Sequence, residues 1–380
     1  MQVDAMVILF LPVMVSLGYI YLMLRIKRGW DRLSGASEAA DVKVSILIAV
    51  RNEEDSITRC LSSIMQQQYD RRKIEVIVID DASEDKTPEL VEAFSLANPE
   101  LTLKLIRLKG QGSGKKQAIR MGLEQAGSEV ILTTDADCTH HPGWIAAMTS
   151  VLVGKKAVFV SGPVTIRPAE TLFQRFQFLE FGSLVVSGAG AVGAGFPLMC
   201  NGASLAYRLS AYRSLPADAF ITNTPSGDDV FLMLAMAKAF GISKISFARD
   251  ARAMVYTLPA PSLPAFMLQR MRWASKSRFY RNGLLTSTAA VVLLMNLAIA
   301  ALFAAAIVNR EWLPAFAVLL LVKTLADAPL LISFLKFAGM ARLKWWIIPA
   351  EPLVAYYTVA AGIAGQFAGI KWKGRNIRGG

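Results

Sequence analysis

The chain has 380 residues, 54% of them apolar, and a mean hydropathy of +0.41, which excludes a wholly water-soluble protein. Its formal net charge of +12 is unevenly spread: residues 33–259 sum to −1, whereas residues 260–380 sum to +11. Basic residues that flank apolar runs face anionic headgroups and fix topology, so the surplus excludes nucleic acid as a partner and points to membrane lipids.

Residues 5–24 (AMVILFLPVMVSLGYIYLML) form an uncharged run long enough to span a bilayer. No Lys or Arg precedes it, no A-x-A site follows it, and Arg25, Lys27, Arg28 and Arg32 stand directly after it. This pattern predicts an uncleaved anchor over residues 1–28, rather than a signal peptide, with the next segment cytoplasmic. The widely spaced Cys60, Cys138 and Cys200 offer neither a zinc spacing nor a disulfide framework, which fits a reducing cytosol.

From residue 43 the pattern changes. Residues 43–50 and 75–80 are continuous β-branched runs, as in strands buried on both faces. Residues 101–108, 129–135 and 157–164 continue the series, with helical stretches at 54–67, 87–97, 114–125 and 142–152. The alternation predicts an α/β domain over 43–260, with a mainly parallel, Rossmann-like sheet covered on both sides. Ligands of such sheets bind beyond the carboxyl ends of the strands, which singles out the loops at 51–53, 80–81, 110–116 and 135–137.

Residues 171–199 join phenylalanines in helical rhythm to the small-residue run SGAGAVGAGFP. An interfacial helix with a flexible acceptor loop and an inserted core helix fit this segment equally. Over 261–283, basic residues accompany Phe266, Trp273, Phe279 and Tyr280, the composition of a helix lying on a membrane surface. Apolar stretches follow near 284–308, 313–335 and 345–370; in the second, Lys323 and Asp327 are spaced to pair inside the bilayer. The tail at 371–380 is basic and favours the cytoplasm, so the stretch at 345–370 is expected to be re-entrant or interfacial rather than a full span.

Three short segments carry the chemistry. Thr134-Asp135-Ala136-Asp137 leaves a buried strand with two carboxylates on alternate residues, which therefore point the same way. They suit Mg2+ or Mn2+ shared with a diphosphate; D-x-D alone is a common loop feature, but its position at a strand exit favours the metal. Gly227-Asp228-Asp229 precedes a helical run. One of the two carboxylates suffices as a helix cap, leaving Asp229 as the candidate general base. Gln269, Arg272 and Trp273 share one helix face, where Arg272 can meet a diphosphate bidentately and Trp273 can pack the nucleotide; a headgroup-facing helix would carry the same residues. The segment 110–116 (GQGSGKK) lacks the full P-loop pattern, because Lys116 follows Lys115, which argues against a P-loop NTPase and leaves a lysine near phosphates as one reading. His140 and His141 offer either a third metal ligand or a polar loop pair.

In this order, VSILIAVRNEE, VIVIDDASEDKT, the glycine–lysine loop, TTDAD, CNGASLAYR, GDD and QRMRW resemble the segments of the family 2 inverting glycosyltransferases. That family includes cellulose and hyaluronan synthases, poly-N-acetylglucosamine synthase and ceramide glucosyltransferase. The resemblance covers residues 43–280 and implies a GT-A fold. It implies that Ala49, Arg51, Glu53, Asp81 and Asp135 contact the nucleoside, that Asp137 (with Asp135) holds the metal, and that Lys115 lies near the donor. Asp229, next to Asp228, would be the base, and Gln269, Arg272 and Trp273 would hold the diphosphate. Cys200, Asn201, Gly202 and Ser204 look like the family's acceptor-side segment, with one insertion. The family's Thr/Glu-Asp motif is here Gly-Asp-Asp, a departure on the side that selects the acceptor.

The expectation is a membrane-integral transferase that uses a UDP-sugar and Mn2+ or Mg2+ on the cytoplasmic side and glycosylates a membrane lipid. A processive polysaccharide synthase would share the donor site, although four apolar segments form a narrow conduit unless chains oligomerise. A catalytically silent scaffold conflicts with the intact Asp137, Asp229 and Arg272. A transporter, suggested by Lys323, Asp327 and Glu351, conflicts with so few spans.

Overall fold

The computed structural model describes residues 2–35, 40–108, 114–216, 228–275, 282–367, 370–372 and 375–377. In chain order the elements begin α1 (Gln2–Arg32), β1 (Val44–Val50), α2 (Ile57–Met65), β2 (Ile74–Asp80), α3 (Thr87–Ala97), β3 (Thr102–Arg107), α4 (Lys115–Gln125) and β4 (Val130–Asp135). Next come β5 (Thr139–His140), α5 (Trp144–Gly154), β6 (Phe159–Ser161), β7 (Val164–Ile166), α6 (Leu172–Gly193), β8 (Leu205–Arg208) and α7 (Leu209–Arg213). The chain closes with α8 (Asp228–Phe240), β9 (Ile245–Phe247), β10 (Val255–Thr257), α9 (Leu263–Ala274), α10 (Gly283–Val308), α11 (Leu313–Phe337), α12 (Ile347–Phe367), β11 (Ile370–Trp372) and β12 (Arg375–Ile377).

Two compact units result. The α/β unit comprises Asp31–Pro168 and Ala191–Leu258. Its main sheet has the order β3-β2-β1-β4-β8-β6-β9. The first four strands are parallel, and their register sets Val50 beside Asp80 and Ala49 beside Asp135. Polar residues at the strand exits are thereby gathered at one edge. Val44, Ile46, Leu47 and Ile48 of β1 are fully buried, which explains why this strand is continuously apolar. On one face α4 approaches closely at Gly122, where a Cβ would stand 2.8 Å from Ile79. The sequence patterns located β1 to β4 and α2 to α5 to within about three residues at each end.

Two features of this unit differ from expectation. The run at 157–164 is not one strand: β6 stays in the main sheet, and β7 joins β5 and β10 in a second sheet. Pro163 has no N–H to continue a ladder, and at Gly162 a Cβ would lie 2.2 Å from the Ser204 hydroxyl, so the backbone turns away there. Strand β8, between β4 and β6 and antiparallel to both, is four residues long, too short to show a period.

The helical unit comprises Met1–Trp30, Ala169–Gly190 and Pro259–Gly380. Among the described residues, Leu172–Gly193, Gly283–Val308, Arg310–Phe337 and Ala341–Gln366 are long and apolar enough to cross a membrane. They differ in burial: 67% of the apolar window of Leu172–Gly193 is covered, against 22%, 22% and 28% for the others. Of the two readings of 171–199, α6 is thus a core helix. The small-residue run is helical as far as Gly193, and its glycines serve close packing: a Cβ on Gly190 would lie 2.4 Å from the Ile26 carbonyl oxygen, and one on Gly182 would lie 2.5 Å from the Phe334 ring. Helix α12 runs unbroken through Pro352, and its 21 residues rise about 31 Å, the thickness of a hydrocarbon core. Between Ile347 and Phe367 the helix therefore contains no break. Lys323 pairs with Asp327 at 2.7 Å, as its spacing predicts, and also with Glu351; Tyr19 donates to Asp327 at 2.7 Å. Of the tail, the described residues belong to β11 and β12, which pair antiparallel.

Candidate active site

At the exits of β1 and β2, two loops are stitched together. Arg51 donates from Nη1 to the Asp81 carbonyl at 2.8 Å, and its Nη2 meets Glu84 at 3.3 Å. The Asn52 N–H donates to the Ser83 hydroxyl at 3.0 Å, while its side-chain oxygen accepts from the Glu84 N–H at 2.8 Å. Asn52 (φ 52°) and Ala82 (φ 58°) both lie in the left-handed region. Asn tolerates that conformation, but for Ala it costs roughly 1–2 kcal/mol, strain of the kind that collects at functional loops. The Glu53 N–H donates to the Thr87 hydroxyl at 2.8 Å, and its carboxylate accepts from Ser56 at 2.9 Å. Ala49, Arg51, Glu53 and Asp81 thus share one edge of the sheet.

Asp81 is buried, and its carboxylate accepts from the Gly114 N–H at 3.1 and 3.2 Å. Gly114 has φ 92°, which only glycine adopts without strain, and it opens α4, whose first residue is Lys115. The Lys115 ammonium pairs with Asp135 at the end of β4. Residues 109–113 of the glycine-rich loop lie outside the described residues, as does Gly227.

Two residues after Asp135, Asp137 keeps an open edge to solvent, with Thr257 Oγ1 and Cys138 Sγ each 3.4 Å from its oxygens. The protein packed around it, and then the charges of Asp135 and Glu53, push its pKa up to about 6. Carboxylates that repel one another in this way are what a divalent cation relieves, so the oxygen donors here fit Mg2+ or Mn2+. Among the described residues no group of three His, Cys, Asp or Glu side chains forms a ready-made metal cage, so a cation held here would take other donors from a bound diphosphate. His140 is not one of the donors. It is buried, with Nδ1 meeting the Ser63 hydroxyl and Nε2 the Thr134 hydroxyl, each at 2.8 Å. Burial pushes its pKa down to about 3. Nδ1 of His141 accepts from the Gly143 N–H at 3.0 Å.

Across the sheet from β1, the segment before β8 passes the same edge. Thr133 of β4 donates to the Gly202 carbonyl at 3.1 Å, and the Gly202 N–H donates to Asp229 Oδ2 at 3.0 Å. A Cβ on Gly202 would lie 3.5 Å from Asp229 and 3.6 Å from the Lys115 ammonium, so the candidate base and this lysine converge on the same side of the glycine. Asn201 accepts from the Ala203 N–H at 3.0 Å and shapes the turn; Cys200 is partly exposed beside it. Ser204, expected to face the acceptor, is instead fully buried, and its hydroxyl accepts from the Trp144 indole at 3.1 Å. A buried hydroxyl with a fixed partner serves the core, and nothing in the local sequence pattern marks it as buried. Asp228 opens α8.

Gln269, Arg272 and Trp273 lie on α9, in the helical unit. Their neighbour Arg270, which the spacing argument passes over, is buried against Glu180. Gln269 Oε1 accepts from Arg270, and the Trp273 ring lies 4.4 Å from the Arg270 guanidinium. The face of α9 is therefore not wholly open: Phe266 is buried, while Leu263 and Leu268 are exposed.

Acidic and basic groups gathered at the carboxyl ends of a parallel sheet, with a carboxylate beside them, fit the GT-A class of fold. Residues 130–361 match the family described as glycosyl transferase family group 2, and residues 45–189 match glycosyl transferase family 2. The chain belongs to the family 2 glycosyltransferases. It is 33% identical over 121 residues to glycosyltransferase AglE of Haloferax volcanii, covering 32% of this chain and 39% of that one. It is 25% identical over 280 residues to poly-beta-1,6-N-acetyl-D-glucosamine synthase of Staphylococcus epidermidis, covering 70% and 64%. The chain thus spans less than two thirds of the length of these curated relatives. The fold matches that of mannosyltransferase PcManGT from Pyrobaculum calidifontis, solved with GDP-Man and Mn2+. The TM-score is 0.64 at 20% identity, covering 95% of this chain and 99% of that one.

Proposed function

We propose that this glycosyltransferase is membrane-bound and inverting, and that it moves a sugar from a UDP-sugar to a hydroxyl of a membrane lipid. The observation that carries the reading is the convergence of Asp229 and Lys115 on Gly202, where a Cβ would stand within 3.6 Å of both, on the strand edge that also holds Asp135 and Asp137.

In this reading the acceptor hydroxyl gives its proton to Asp229 as its oxygen bonds to the anomeric carbon. The bond from that carbon to the diphosphate oxygen breaks on the opposite face, and its electron pair leaves with UDP. Lys115 offsets the charge that builds on the leaving group. A divalent cation held by Asp137 and Asp135 would supply Lewis-acid charge to the same diphosphate. Arg51, Glu53 and Asp81 would grip the nucleoside. Gln269, Arg272 and Trp273 are assigned to the diphosphate from their sequence pattern. A lipid acceptor is supported by the exposed apolar faces of α10 to α12 and by exposed Leu263 and Leu268 on α9. The similarity to the staphylococcal synthase favours a second reading, processive polymer synthesis at the same donor site.

The test is nucleotide release by the full chain in lipid nanodiscs, with a panel of UDP-sugars and GDP-mannose, and with Mn2+, Mg2+ or EDTA. The expected result is release with one UDP-sugar, abolished by EDTA and by Asp229→Asn, with label recovered in the lipid extract. Label in high-mass material would favour polymer synthesis. Release with GDP-mannose alone would reject the uridine donor, and release with no donor across several lipid extracts would reject the reading.

A further inference from the structure

Within the helical unit, the reaction just described leaves one buried arginine unused. Arg270 is 4% exposed and lies against Glu180 of α6, whose side chain is fully buried. The contact is a two-pronged fork: Nε donates to Oε1 at 2.8 Å, and Nη2 donates to Oε2. Tyr357 of α12 adds a third donor to Oε1 at 2.6 Å. The guanidinium carbon lies 4.3 Å from the centre of the Phe266 ring and 4.4 Å from the centre of the Trp273 ring, and Nη1 donates to Gln269. Helix α12 also closes tightly on the end of α9, because a Cβ on Gly365 would lie 2.7 Å from the Met271 carbonyl oxygen.

A buried ion pair is poor value for stability alone, since apolar groups of the same volume often do as well or better. What a fork of fixed geometry adds is orientation. Here the fork fixes α9 from α6 and α12 at once, and Gln269 and Trp273 both touch the clamped guanidinium. We propose that Glu180, Arg270 and Tyr357 are positioning residues that set the rotation of α9, and with it the presentation of Gln269, Arg272 and Trp273 to a nucleoside diphosphate. This inference rests on the assignment of α9 to the diphosphate made above.

The experiment compares Arg272→Ala, Tyr357→Phe and the charge-free pair Glu180→Leu/Arg270→Met, each as the full chain in nanodiscs. The readouts are melting temperature, affinity for free UDP, and donor KM and kcat. The charge-free pair is expected to melt near the parent protein yet bind UDP on the order of tenfold to a hundredfold more weakly, as misplaced binding groups do. Tyr357→Phe, which removes one hydrogen bond and no charge, is expected to weaken UDP binding by a few-fold with the fold intact. UDP affinity within twofold of the parent in both, while Arg272→Ala weakens it, would overturn the clamp and leave the assignment of α9 standing. No effect of Arg272→Ala would overturn that assignment, and the purpose of the clamp with it.

Discussion

Asp229 accepts the Gly202 N–H through one oxygen and the N–H of Val230 through the other, so its position is fixed by the backbone. Asp229→Asn keeps an acceptor for Gly202 but cannot take a proton. It is expected to lower kcat by about a hundredfold to ten-thousandfold with little change in melting temperature. A kcat within a factor of three of the parent would remove Asp229 as base. His140 makes a different prediction. It is neutral in the fold, with a pKa of about 3, whereas an unfolded histidine titrates near its ordinary value. Its contribution is therefore full above about pH 6.5 and is lost by roughly 1.4 kcal/mol per pH unit as the pH falls towards 3. The drop in melting temperature from pH 7 to pH 5 should be larger for the parent than for His140→Gln; equal drops would refute the account. The positions of Asp135 and Asp137 at the exit of β4, and of Asp229 at the start of α8, were legible in the sequence because each borders an apolar run that marks its element. The burial of His140 and Ser204 was not, because short polar side chains carry no local mark of what packs over them.

At the level of the element, period decides what can be read. The runs of β1 to β4 and α2 to α5 alternate strongly enough to be located from residues alone, but the split between β6 and β7 depends on the Ser204 hydroxyl, some forty residues away in sequence. Helix α6 is the sharper case. Its small residues suit a loop, an interfacial helix or a packed core, and only the partners choose among these. Gly190 is what lets α6 meet α1. Gly190→Leu is expected to lower the melting temperature by several degrees, because the added side chain would stand on the Ile26 carbonyl and force the helices apart. Gly18→Ala on α1, where a Cβ meets nothing within 4 Å, should cost nothing. Equal melting temperatures for the two variants would contradict this packing.

Across the whole molecule, the polar cluster of Tyr19, Lys323, Asp327 and Glu351 is the clearest long-range bond within the helical unit, joining α1, α11 and α12. Lys323→Met leaves the buried Glu351 and the half-buried Asp327 carboxylates without their shared cation and is expected to cost about 3–5 kcal/mol of stability. The triple variant Lys323→Met/Asp327→Asn/Glu351→Gln should recover most of it. Thermal unfolding in nanodiscs checks both, and a triple variant no more stable than the single one would show that the charges are not what couples the helices. The same bond constrains biogenesis. Tyr19 and Asp327 are 308 residues apart, so at ribosomal rates of roughly 5–20 residues per second Tyr19 waits about 15–60 s for its acceptor. Every strand of the main sheet is synthesised within that interval, long enough for it to fold while Tyr19 waits for its partner. The last helices thus act as a latch on a chain whose main sheet is already built, and a nascent chain stalled before residue 327 carries that sheet behind a first helix that still lacks its polar partner.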